Sequence, residues 1–354
     1  MAELLDISVI ISSYNRCGLL PRALNALLEQ ESEGVSYEII LVDNNSTDRT
    51  RQVVESFKEL GHSNLHYVFE PRQGVSYARN TGIKRASAQV IAFTDDDVVV
   101  SRNWIVTIKR MFYEHPEVDC IGGKVLPEWS NDPPAWLTRE NWSPLALQDY
   151  GCELFYINRD KSLCLVSANL AFRRSVFDRI GRFAPELQRV KDGIGSMEDL
   201  ELLIRFWRAG GQSLYVPSLV VTTEVPQERV KKAYHRRWHK GHGHFYAMMR
   251  ADEIEHSSRR RLFDVPAHLY RQFVMDALCW LKHCVSGNQG RAFICESRLR
   301  FFAGFFLTRR QVYLKAGKHG NIREIATFAR SIASRRINAE VINAKQNVGE
   351  PGQL

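Results

Sequence analysis

Three groups of carboxylates stand where carboxylates could do chemistry. Asp95-Asp96-Asp97 directly follows the apolar run Val90–Thr94 (VIAFT). Three adjacent carboxylates repel one another, and a divalent cation relieves that repulsion. Hard oxygen donors select magnesium or manganese, ions that keep few protein ligands and share the rest of their shell with substrate phosphates. The competing reading is a solvated acidic turn. Asp43 ends the run Tyr37–Val42 (YEIILV) inside VDNNSTD. There it could accept a hydrogen bond from a base N–H or a ribose hydroxyl, while Asn44 and Asp48 suit turn and cap roles. Glu198-Asp199 precedes a helix with apolar positions Leu202, Leu203 and Phe206, and Gly193-Ile194-Gly195 before it permits a tight approach. One of these carboxylates could take a proton from an acceptor hydroxyl. Taken alone, the pair reads as acidic residues favouring a helix dipole.

The elements that must position these groups alternate in type. Ile7–Ser12 is a buried strand ending in Ser13-Tyr14-Asn15, and residues 18–30 read as a helix with Leu19, Leu20, Ala23, Leu24 and Leu27 on one face. Strands are expected at 37–42, 65–69, 90–94, 121–126, 163–172 and 214–222. Helices are expected at 47–60, opened by a hydroxyl or an Asp48 cap, and at 75–86, 103–115 and 199–209. Such alternation predicts an α/β fold with a mainly parallel sheet sandwiched by helices. In these sheets ligands bind outside the carboxyl ends of the strands, which is where Tyr14, Asp43 and the acidic triplet stand. Residues 127–149, with Trp129, Trp136, Trp142 and several prolines, read as an irregular loop or mobile flap. After Pro226 the pattern turns helical to the end, with turn signals near Gly287 and Gly317–Gly320 and a frayed tail after Asn343. This divides the chain into residues 1–225, carrying the site, and a C-terminal helical extension, 226–354.

The net charge of +8 is unevenly spread. Residues 1–224 hold 24 basic and 30 acidic side chains, a net −6, and residues 225–354 hold 24 and 10, a net +14. A basic C-terminal part suits an anionic partner; no RNA or DNA motif accompanies it, so nucleic acid is not expected. Seven scattered cysteines, none in C-x-x-C spacing, argue against a disulfide framework or a structural zinc site. The N-terminal MAELLDISVIISSYN lacks a basic leader, and a cytoplasmic setting is expected. The longest apolar stretch, Leu262–Val285, is broken by Asp264, Arg271, Asp276 and Lys282, which predicts an amphipathic helix on a surface rather than a membrane span.

Five strings occur in order: DISVIISSYNR, YEIILVDNNSTD, EPRQGVSYARNTGIKRA, VIAFTDDDVVVSRNWI and MEDLELLIRFWRAG. Together they resemble the family-2 glycosyltransferases of the GT-A fold over roughly residues 6–220. The resemblance implies an inverting transfer from a nucleoside-diphosphate sugar to an acceptor hydroxyl, in polysaccharide or glycolipid assembly, with Mn2+ or Mg2+. It puts Ser12, Tyr14 and Arg16 in the first donor loop and gives Asp43 the nucleobase. Gly74, Arg79 and Asn80 fall beside the sugar nucleotide. Asp95, Asp96 and Asp97 make a D-x-D motif, with Asp97 the direct metal ligand and Asp95 framing it. Asp199 matches the catalytic base, with Glu198 beside it, and Asn169 in NLAFRR falls on the acceptor side.

One departure concerns the metal shell. Many relatives carry a His after the last strand; here the string is VVTTEVP, so Glu224 could supply a carboxylate instead. Downstream, HRRWHKGHGHFYAMMR reads as a flexible basic loop near the diphosphate or a lipid-phosphate acceptor, with Arg237 and His242 as contacts; the absence of cysteines at useful spacing argues against zinc. Arg259-Arg260-Arg261 before the amphipathic segment suits an anionic, inner-face membrane surface, and a helical homo-oligomer interface competes with it. The alternative to an enzyme is an inactive membrane-associated sugar-nucleotide binder. A nucleotidyltransferase would need a Gly-rich loop where SSYNRCG stands.

Overall fold

The computed structural model describes residues 5–188, 197–250, 255 and 260–317. Gly193-Ile194-Gly195, Arg259 and the tail after Asn343 lie outside them. Strand β1 (Ile7–Ser13) pairs in parallel with β2 (Tyr37–Asp43) and β4 (Val90–Asp95), and β2 with β3 (Leu65–Phe69). Side chains alternate across these strands. Ile7, Val9, Ile11, Ile39, Leu41 and Ala92 enter one core layer, while Ile10, Ile40, Val42, Ile91 and Phe93 enter the other. Both faces therefore need helices. Helices α1 (Leu20–Leu28), α2 (Thr50–Glu59) and α4 (Trp104–Glu114) cover the first; α3 (Val75–Arg85), α5 (Ser175–Ile180) and α6 (Glu198–Arg208) cover the second. In α1 the buried positions are Leu20, Ala23, Leu24 and Leu27, whereas Leu19 is exposed.

The second half of the sheet is mixed, which corrects the mainly parallel expectation. Its remaining strands are β5 (Val98–Val100), β6 (Cys120–Glu128), β7 (Phe155–Ile157), β8 (Leu170–Arg173) and β9 (Ser213–Glu224). Sheet order is β3-β2-β1-β4-β8-β6-β9-β5, with β7 on β9. β8 runs antiparallel to β4 and β6, and β5 antiparallel to β9. The stretch 163–172 is strand only from Leu170; a 3-10 turn, Ser167–Asn169, precedes it. The irregular stretch 127–149 contains two 3-10 turns, and Trp129, Trp136 and Trp142 pack partly buried against the first core layer.

The C-terminal part is not uniformly helical. Helix α7 (Lys232–Met249) is followed by a small hairpin, β10 (Arg261–Leu262) with β11 (Val265–Pro266), then α8 (Ala267–Val285) and α9 (Gln289–Gly317). The segment read as a flexible basic loop is thus the interior of α7. The reason lies in two glycines. A Cβ on Gly243 would sit 2.0 Å from the Phe301 carbonyl oxygen, and one on Gly304 would sit 1.9 Å from that of Lys240. Only glycine permits backbones this close, and α7 is clamped against α9. Trp136 ties the pair to the rest of the fold, its ring 5.0 Å from that of His235 and 4.6 Å from that of Phe293.

Candidate active site

The acidic triplet is the turn from β4 into β5, so the parallel strands carry it to their carboxyl edge. It borders a cleft of about 590 Å³. Asp96 is almost wholly buried and accepts hydrogen bonds from Ser13 Oγ (2.7 Å) and Arg16 Nη1 (2.9 Å); the same Nη1 reaches Asp97 Oδ2 at 2.6 Å. Burial pushes the Asp96 carboxyl up to about 7 against the pull of Arg16. The Asp95 carboxyl is also raised, first by burial, with Asp97 and Asp199 adding like charge.

A single guanidinium joins this edge to the start of α6. Arg79, on α3 and buried, donates from Nη1 to Asp199 Oδ1 (3.1 Å) and Glu198 Oε1 (3.3 Å), and from Nη2 to Asp95 Oδ1 (3.5 Å). Phe183 backs it, with the guanidinium carbon 5.4 Å from the ring centre. The other oxygen of Asp199 accepts from Ser167 N–H (3.0 Å) and Oγ (2.9 Å). That explains the 3-10 turn where a strand was expected: the turn presents both donors of one residue to Asp199.

The loops after β1, β2 and β3 are locked to each other. Asn15, at φ 50°, takes the N–H of Thr47 on its side-chain oxygen (2.7 Å). Gly74, at φ 137°, donates its N–H to Asn44 Oδ1 (2.7 Å), and a Cβ there would meet the Gln188 side chain at 2.3 Å. Ser12 Oγ is buried, lines the cleft and has no protein partner among the described residues.

Of the sequence-derived candidates, Ser12, Tyr14, Arg16, Gly74, Arg79, Asp95, Asp96, Asp97, Glu198, Asp199 and His242 line this one cleft. Five do not. Asp43 is 3% exposed and its oxygens are taken by Ser46 N–H and Tyr67 Oη; its neighbour Asn44 lines the cleft instead. Asn80 is spent on the backbone of Phe183. Asn169 is fully buried: its oxygen accepts from Trp104 Nε1 (2.8 Å) and its nitrogen donates to the carbonyls of Lys124 and Leu219 (2.9 Å each). It fastens the sheet and is closed to an acceptor. Arg237 is exposed on α7, away from the cleft. Glu224 accepts from Ser130 Oγ on the outside, because strand alternation turns Thr223 inward. Thr223 Oγ1 donates to the Asp97 carbonyl (3.0 Å).

Asp95 and Asp97, 32% and 21% exposed and paired with Arg79 and Arg16, are hard oxygen donors of the kind a divalent cation takes. Arg16 supplies positive charge against Asp96 and Asp97. Among the described residues no set of three His, Cys, Asp or Glu side chains converges on a single cation position.

Of the α7 residues that line the cleft, only His242 was expected from the sequence. Tyr234, Trp238, His242 and Tyr246 recur every fourth residue on α7 and line the cleft with Tyr150 and Arg229. His242 stacks on Trp238 at 4.2 Å. Burial lowers His235, His239 and His242 to about 4, 4 and 3, so these histidines are neutral. The four-residue recurrence was a readable signal.

Residues 8–181 match the family model described as Glycosyl transferase family 2. A glucosyl-dolichyl phosphate glucuronosyltransferase of Haloferax volcanii is 25% identical over 210 residues, which cover 59% of this chain and 65% of that protein. An uncharacterized glycosyltransferase of Nostoc is 27% identical over 237 residues, covering 62% of this chain and 70% of that one. The chain therefore spans just under two thirds of the Haloferax protein's length. Among solved structures, a mannosyltransferase of Pyrobaculum calidifontis, in complex with GDP-Man and Mn2+, superimposes with a TM-score of 0.51 at 17% identity, covering 97% of this chain and 87% of that one. TarS of S. aureus, in complex with UDP-GlcNAc, gives 0.50 at 16%, covering 88% and 92%. At these identities the likeness speaks for the fold, which is GT-A.

Proposed function

The chain belongs, through residues 8–181, to glycosyl transferase family 2, and on that premise we propose that it moves a sugar from a nucleoside-diphosphate sugar to an acceptor hydroxyl in one inverting displacement. The observation that carries this reading is the Arg79 bridge, which brings Asp95 and Asp199 to opposite sides of one guanidinium within one cleft. Ser12, Tyr14, Asn44 and Gly74 form the donor side. Asp95 and Asp97 would hold Mn2+ or Mg2+ together with diphosphate oxygens. When bound, that ion neutralises charge growing on the leaving diphosphate. Arg16 and Arg79 add fixed positive charge beside it. Asp199, oriented by Ser167, takes the proton from the attacking hydroxyl, and attack from the face opposite the diphosphate inverts the anomeric centre.

The aromatic stripe of α7 forms the acceptor wall, since Tyr234, Trp238 and Tyr246 line the cleft with the apolar ring surface a sugar packs on. In this reading residues 1–225 form the catalytic domain and 226–354 supply acceptor contacts. The Haloferax relative's name points to a lipid-phosphate-linked saccharide, and we extend assembly of a glycolipid or polysaccharide to this chain as the class of process served. The test is a panel of nucleotide sugars with manganese, followed by thermal shift and by release of nucleoside diphosphate. One donor that raises the melting temperature and is turned over supports the proposal. Stabilisation without release by any donor, with or without acceptor, favours an inactive binding protein instead.

A further inference from the structure

Helix α8 carries an exposed face with no partner among the described residues. Val274, Met275, Leu278, Leu281 and Val285 are 54%, 59%, 58%, 51% and 90% exposed. At 100° per residue these five fall within about 120° of arc. Arg271 and Lys282 lie inside the same arc and are also exposed. The opposite face is fully used: Leu269 is buried, Phe273 packs against Phe302 and Phe306, and Cys279 meets Cys295. The helix's one acidic residue, Asp276, is turned inward and ion-paired with Arg298 at 3.3 Å. The outer face is thus apolar with two cations and no anion.

We propose that this face is a membrane-docking surface, seated in the interface of a bilayer rich in anionic lipid. Length and charge rule out a span: no described helix is long and apolar enough to cross a membrane. A helix of this pattern instead lies in the plane of the interface, its apolar side chains among the acyl chains while Arg271 and Lys282 extend their stems and reach the headgroup phosphates. Charge complementarity selects this occupant over a second copy of the chain. Two copies joined through this face would bring Arg271 and Lys282 against their own kind with no carboxylate between them, whereas a negative surface pairs with both. The +14 carried by residues 225–354 acts in the same direction. The inference is independent of the catalytic reading, since none of these seven side chains borders the cleft.

The experiment is flotation of the full chain with phosphatidylcholine vesicles, plain or containing about a third phosphatidylglycerol, alongside sedimentation without lipid. The chain is expected to float with the anionic vesicles, less so at about 0.5 M salt, and to stay behind with the plain ones. Leu278→Ser with Leu281→Ser is expected to weaken partition about thirtyfold, and Arg271→Glu with Lys282→Glu at least about tenfold. All four positions are exposed, so melting temperature and nucleoside diphosphate release with a soluble acceptor should not move. No flotation of the unaltered chain overturns the proposal, as does flotation that both double variants retain. Concentration-dependent self-association abolished by the serine variant, without flotation, overturns it in favour of an oligomer interface.

Discussion

Arg79 offers the sharpest test of how the site is held together. Arg79→Met keeps the length and apolar contact of the stem over Phe183 but removes the charge. At 3.1–3.5 Å from Asp199, Glu198 and Asp95, each Coulomb contact is worth about 5 kcal/mol at an effective dielectric of 20. Most of that is cancelled by the cost of burying the guanidinium, and breaking such a buried pair typically leaves a net loss of about 3–5 kcal/mol. For a chain of this size that lowers the melting temperature by about 4–7 °C. Part of the loss comes from three carboxylates left facing one another, so adding Asp199→Asn to Arg79→Met should return about 1–2 kcal/mol. The assay is thermal and urea unfolding followed by circular dichroism, without metal. A fall of less than about 2 °C for Arg79→Met, or a double variant less stable than the single one, would refute the bridge as the organising contact.

Further outcomes follow from other residues. Asn169→Ala should cost about 2–4 kcal/mol in urea unfolding, because it strands the indole N–H of Trp104 and two carbonyls; unchanged stability with a raised acceptor KM would return Asn169 to the acceptor side. Trp238→Ala should raise the acceptor KM about tenfold while donor affinity, read by thermal shift, holds; equal weakening of both would remove the α7 wall from the acceptor. Burial holds His235, His239 and His242 at about 4, 4 and 3, below the ordinary 6.5. Their contribution is fully present above about pH 6.5 and is lost as pH falls toward 4. By about pH 5.5 each should have given up about 1 kcal/mol, a slope that His235→Phe should flatten; an unaltered slope would deny His235 a share.

Much of the site was readable because strand ends are readable. The runs ISVIIS, YEIILV and VIAFT carry their periodicity and β-branching in plain view, and whatever follows them must emerge at one edge of the sheet. Asp95–Asp97 and Tyr14 followed from that logic. Residue choice within a turn was less legible. Asp43 and Asn44 are adjacent, and only the backbone decides that Asn44 faces the cleft while Asp43 is sealed under Tyr67. Thr223 and Glu224 differ in the same way, through the register in which Val98 pairs with Thr223. Asn169 misled because a buried asparagine satisfying a tryptophan and two carbonyls has the same letter as one awaiting a substrate. The stretch 235–250 misled because dense His, Arg and Gly read as a loop, whereas Gly243 and Gly304 are where α7 and α9 meet backbone to backbone.

The proton acceptor we propose is Asp199, in the cleft that Asp97 shares. This role is tested most directly by Asp199→Asn, measured with the donor found in the nucleotide-sugar panel. Transfer should fall by about a hundredfold to ten-thousandfold while the donor's thermal shift stays within error of the unaltered chain. Near-normal turnover by Asp199→Asn would contradict the account.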